Sequence, residues 1–131
     1  QRATTLFANL TNGSFVGVRT EFDDLDRAKL VGVRADESVV DVTGMSDGTA
    51  DQLYLALRLA AIYEYIEHSP PMPVIADDLL VNFDNERATA GLKGLAELAR
   101  HTQVVFFTHH RHLLEIAQST LGEDLHVATW A

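Results

Sequence analysis

The chain has 131 residues, 47% of them hydrophobic and 22% charged, which is enough apolar chain for one ordinary globular domain with a real core. It has no cysteine, so disulfides and thiolate metal sites are excluded. Its formal net charge of −9, with Lys29 and Lys93 as its lysines, shows none of the basic bias of a domain that grips DNA unaided.

In chain order, the first third reads as a small antiparallel meander over residues 1–43. Asn12-Gly13 is a tight-turn signal, and Phe15 to Thr20 carries the β-branched and aromatic residues of a strand. Asp23-Asp24-Leu25-Asp26 makes a polar turn, and Leu30–Val33 and Val39–Val42 read as two further strands. The character changes at Gly44. Thr49-Ala50-Asp51-Gln52 has the form of a capping box, and the helix it predicts runs to about Glu67. Apolar residues cover almost its whole circumference, so it is expected to be buried on most sides. Ser69-Pro70-Pro71-Met72-Pro73 ends it, because proline cannot continue the hydrogen-bond ladder.

Three short apolar runs follow, separated by helical patterns. Val74-Ile75-Ala76 leads into Asp77-Asp78, and a helix is expected from about Asn85 to Arg100. Gln103 to Phe107 leads into Thr108-His109-His110, a helix lies near Leu113 to Ser119, and Leu125 to Trp130 reads as a last strand. Strands alternating with helices predict an α/β fold with a parallel sheet. Ligands of such sheets bind beyond the carboxyl ends of the strands, where Asp77-Asp78 and Thr108-His109-His110 fall. The longest apolar stretch, Leu53 to Ile62, is interrupted by Arg58 and too short to cross a bilayer. With no signal segment at the start, a cytoplasmic location and no membrane partner are expected.

Two adjacent acids after a strand point in different directions and can take different tasks. One can hold a divalent cation while the other orients or deprotonates a water. A histidine at the neighbouring strand end can contact a phosphoryl oxygen or that water. Met45-Ser46-Asp47-Gly48-Thr49 opens the apolar helix, where free amides attract anions and Gly48 would let a ligand approach the backbone; read alone it is only a helix cap. His109, His110 and His112 match no HExxH spacing, and as metal ligands they would need carboxylates from elsewhere. His68, His101 and His126 are isolated. A phosphate loop requires G-x-x-x-x-G-K-[ST], and neither lysine follows a glycine. The chain carries carboxylate and histidine groups suited to phosphate chemistry without the loop that cradles a triphosphate.

With those residues together, the chain resembles the C-terminal lobe of the ABC-type ATPase heads of SMC and SbcC-like proteins, and most of all the bacterial YhaN group of coiled-coil ATPases. MSDGTADQLYLALRLA is similar to that group's signature motif and helix, PVIADDLLVNFD to its Walker B strand and D-loop, and VVFFTHH to its switch-histidine strand. The three occur in family order between Gly44 and about His112, and residues 44–131 are read as this lobe. The resemblance implies Asp77 as a magnesium ligand, Asp78 as the residue that polarises the hydrolytic water, His109 as the γ-phosphate sensor and Asp84 at the D-loop dimer contact. It implies that Ser46, Asp47, Gly48 and Thr49 meet ATP held by an opposite head, so that two heads sandwich the nucleotide. Most ABC-type heads carry glutamate at the Asp78 position; aspartate is one methylene shorter, and the YhaN group is similar in carrying it.

In such heads the phosphate loop sits in an N-terminal lobe beyond a long coiled coil. The chain, which begins with Gln1, is therefore expected to be a piece of a longer protein, inactive alone, whose first partner is its own Walker A lobe. Further expected partners are a second head, an SbcD-like nuclease and, through the whole protein, DNA in repair or processing. Two other classes also fit the residues: a self-sufficient metal-dependent phosphohydrolase, and a non-enzymatic module whose apolar helix docks a partner.

Overall fold

A computed structural model describes residues 2–70 and 72–129. The chain divides into two compact units, Gln1–Pro70 and Pro71–Ala131. The division falls at the proline run, so the long helix after Gly44 belongs with the meander and not with the α/β segment.

The first unit opens with a helix that the sequence reading did not foresee, α1 (Arg2–Leu10). It ends at Asn12-Gly13, whose residues have φ of 52° and 84° and whose backbone N–H groups bond back to Asn9 and Ala8 carbonyls. The pair expected to turn a hairpin instead stops a helix. Both tasks need positive φ, which asparagine and glycine supply at least cost, so the dipeptide alone cannot separate them. Three antiparallel strands follow: β1 (Gly17–Phe22), β2 (Ala28–Val33) and β3 (Val39–Asp41), in the order β1-β2-β3. The polar turn between β1 and β2 forms as the sequence predicts. Asp23 accepts the amides of Leu25 and Arg27, and Asp26 takes φ 58°.

The long helix, α2 (Asp47–His68), starts three residues earlier than the capping-box pattern predicts. Ser46 is its N-cap and accepts the Thr49 amide at 3.2 Å. Gln52, expected to complete a cap at Thr49, is 2% exposed and donates from Nε2 to the Leu10 carbonyl at 2.5 Å. This bond satisfies an orphan carbonyl at the end of α1 and ties the two helices across 42 residues of chain. Around it Phe7, Leu10, Phe15, Val31, Leu53, Ala56 and Leu59 form the core, and the Phe7 and Phe15 ring centroids lie 5.0 Å apart. The expected all-round burial of α2 is only partly realised: Tyr54 and Tyr65 are half exposed.

The second unit contains β4 (Val74–Asp77), α3 (Asn85–Leu98), β5 (Val104–Phe107) and α4 (Arg111–Leu121). The strands β4 and β5 are parallel, in the register Val74 with Val104 through Asp77 with Phe107. Leu80, Ala88, Leu92, Leu95, Leu98, Leu113 and Ala117 are buried. Gly91 of α3 has no room for a side chain, because a Cβ there would lie 2.9 Å from Leu80 Cδ2. The last expected strand does not form over residues 125–129, which are irregular; Trp130 lies outside the described residues. A β-branched run becomes a strand only when a ladder partner takes its N–H and C=O groups, and neither strand of the two-stranded sheet pairs with this one.

At Gly32 a Cβ would lie 2.8 Å from the Phe15 ring and 2.9 Å from Met45 Cε. The methionine tip can move, but the ring is held in the core. Gly32→Val should therefore destabilise the chain by about 1–3 kcal/mol despite valine's better strand propensity, read as a lower urea midpoint. The turn carboxylates also carry a pH signature. Asp23 is held below the ordinary carboxylate value first by the Arg27 amide, Asp36 first by the Ser38 hydroxyl, and Asp41 first by the Thr43 amide. A lowered folded pKa stabilises above the unfolded value, and that stabilisation disappears as pH falls through the folded one. The Arg27 and Thr43 amide resonances should accordingly shift on acidification below the range where free aspartate titrates.

Candidate functional site

The site lies at the carboxyl end of the parallel ladder. Asp77 is the last residue of β4 and is exposed, and it registers with Phe107, the last residue of β5. Asp78 follows with φ 52°, in the left-handed region, while its amide still bonds to the Phe107 carbonyl at 3.0 Å. The backbone thus stays anchored to β5 while the side chain turns out of the strand direction. For a non-glycine residue this conformation costs on the order of 1 kcal/mol, least for asparagine and aspartate.

The turn brings Asp78 to the histidines beyond β5. Asp78 Oδ2 lies 3.5 Å from His109 Nδ1, longer than a hydrogen bond, with the aspartate side chain 36% exposed and the imidazole 78%. Asp78 Oδ1 is buried without a hydrogen-bond partner among the described residues. A buried acceptor left unpaired costs roughly 1–3 kcal/mol, and such atoms concentrate at functional sites. The Thr108 hydroxyl accepts the His110 amide at 3.1 Å and bends the backbone after β5. The His109 and His110 rings consequently lie with centroids 4.2 Å apart, whereas adjacent residues of a strand would face opposite ways.

The remaining candidates separate by unit. His112 is drawn off to Asn85, with Nε2 2.6 Å from Oδ1. Asp84 is the N-cap of α3 and accepts the Arg87 amide at 2.8 Å. In the first unit, Ser46 and Thr49 bond hydroxyl to hydroxyl at 2.8 Å, and Asp47 is exposed in the first turn of α2. Gly48 is buried, so the helix start offers Ser46, Asp47 and Thr49 at its surface and not the open glycine backbone that the sequence invites. The structure brings Asp78, His109 and His110 together, with Asp77 adjacent. The sequence reading weighed His110 only within the group His109, His110 and His112, and spacing alone did not show which of them would face Asp78.

The succession of a helix, a meander, a long helix and a parallel ladder gives a fold similar to those of solved structures. No protein-family profile matches the chain. A structure of an SMC ATPase, described for ATP-driven dimerisation and DNA-stimulated activation, superimposes with a TM-score of 0.69 at 17% identity, covering 88% of this chain and 70% of that one. The SMC head domain of Thermotoga maritima gives 0.60 at 22% identity, covering 89% and 41%. The fold is that of the C-terminal portion of an SMC-like ABC ATPase head. In sequence, the chain is 31% identical over 121 residues to the uncharacterised protein YhaN of Bacillus subtilis, covering 92% of this chain. It spans 12% of YhaN's length. No described helix of the chain is long and apolar enough to cross a membrane.

The backbone at Asp78 gives the site a conformational test. Asp78→Asn should leave stability within about 0.5 kcal/mol, since asparagine tolerates positive φ, whereas Asp78→Val should cost on the order of 1–2 kcal/mol. Equal urea midpoints for the two variants would show that the left-handed turn does not form.

Proposed function

We propose that the chain is the C-terminal half of an SMC/SbcC-like ATPase that binds and hydrolyses ATP between two dimerised heads. The observation that carries this reading is the approach of Asp78 to His109 at neighbouring ends of parallel strands, within an SMC-like head fold. Asp78 has an acceptor oxygen with no donor among the described residues and lies beside an exposed imidazole, which suits a group that polarises water next to one that contacts a phosphoryl oxygen. Magnesium fits the exposed oxygen-only carboxylate of Asp77 at the end of β4, and when bound it neutralises phosphate charge. β4 would then be the Walker B strand, Asp84 the D-loop residue at the dimer contact, and Ser46, Asp47, Gly48 and Thr49 the signature that reaches ATP on the opposite head.

The chain has no phosphate loop, so ATP's main grip must come from an N-terminal Walker A lobe, and this chain alone should not turn over ATP. The SMC ATPase to which the fold is similar is described for DNA-stimulated activation, which supports DNA as a partner of the whole protein. A cytoplasmic role in DNA repair or processing beside an SbcD-like nuclease completes the reading, by analogy of fold.

The test is made on the full-length protein. Asp78→Asn should lower kcat for ATP hydrolysis by about 100-fold or more while ATP binding and ATP-driven dimerisation persist. Unchanged hydrolysis would remove Asp78 from the chemistry. Robust phosphohydrolase turnover by the 131-residue chain alone, lost in Asp77→Ala, would replace the reading with that of a self-sufficient metal enzyme.

A further inference from the structure

We propose that Asp78, His109 and His110 form a binding site for a zinc-like transition-metal ion, distinct from the magnesium position at Asp77. One ligand atom from each of the three residues lies within 4.8 Å of the others. Two imidazole nitrogens and one carboxylate oxygen are a donor set that suits zinc, cobalt, nickel or iron. Magnesium prefers six oxygens, which this trio does not offer.

The spacing supports the assignment. Ligands about 2.0–2.1 Å from a tetrahedral ion sit about 3.4 Å from one another. The 3.5 Å between His109 Nδ1 and Asp78 Oδ2 is long for a hydrogen bond and matches the edge of such a tetrahedron. The supporting contacts hold the groups in place without consuming their ligand atoms. The Asp78 amide is fixed to Phe107, and the His110 amide to the Thr108 hydroxyl. His110 also serves as the N-cap of α4 through its carbonyl, which accepts the Leu113 amide at 3.1 Å, leaving the ring free of that role. His112, the third histidine of the cluster in sequence, is engaged by Asn85 and stands outside the set. Three protein ligands on an exposed face leave a fourth position for water.

The site itself rests on this geometry alone. Its consequence rests on the proposed ATPase reading: an ion held here withholds Asp78 and His109 from the nucleotide, so zinc would inhibit hydrolysis by occupying the groups that perform it.

The experiment titrates the 131-residue chain with Co²⁺ as a spectroscopic stand-in and then displaces it with Zn²⁺. One equivalent should give the intense visible absorption of tetrahedral cobalt, and zinc should abolish it. His110→Ala should weaken binding about tenfold or more, while His101→Ala and His126→Ala bind as the parent does. Absence of tetrahedral cobalt absorption, or equal affinity in His110→Ala, overturns the site whether or not the heads hydrolyse ATP. Loss of Asp78's part in hydrolysis, with cobalt binding intact, would instead overturn the ATPase assignment and leave the metal site standing.

Discussion

The four-residue parallel ladder between β4 and β5 is the constraint on which the chemistry depends. Its register sets Asp77 opposite Phe107, and the next amide, that of Asp78, still bonds across to the Phe107 carbonyl. That bond carries the ladder one residue past the end of β4. Without it, the residue after Asp77 would have no fixed position relative to the histidines of the neighbouring strand. The buried leucines of α3 and α4 and the glycine that admits Leu80 hold this short sheet in place. A two-stranded sheet has little stability of its own and depends on such packing.

The first unit uses a different device. Its meander has one sheet face and few buried residues, and its core is closed by two helices far apart in sequence. Gln52 supplies a buried polar link between them, a side-chain amide used to satisfy a backbone carbonyl, and Arg2 pairs with Glu67 at the exposed end. Buried polar groups of this kind are tolerated only when paired, and here the pairing fixes which turn of α2 faces α1. The helix starts three residues earlier than expected because Ser46 caps the Thr49 amide, and Gln52 is occupied elsewhere.

Much of the fold was legible in the sequence because it rests on local rules. The three meander strands, the polar turn at Asp23, the proline stop after α2 and the β4–α3–β5–α4 alternation all follow from periodicity and turn chemistry. What was not legible depends on distant partners. Arg2–Leu10 forms a helix that packs on α2, and its Asn12-Gly13 stop reads equally well as a hairpin. Residues 125–129 have strand composition but no ladder partner. At the site, the residue types and their strand-end positions were readable, and Asp78 and His109 do come together. The inward turn of His110 was not, because it arises from the Thr108 hydroxyl and the start of α4 and not from any spacing.

The left-handed backbone at Asp78 also sets a preference among the acids that could stand at this site. Aspartate accepts such a conformation at less cost than glutamate, although the chain also holds Glu37 in that region, at φ 69°. Exchange for glutamate would raise the cost of this turn and carry the carboxylate one methylene further from the strand end. Side-chain length and backbone geometry are therefore linked at this position, and the shorter acid is the one the turn favours.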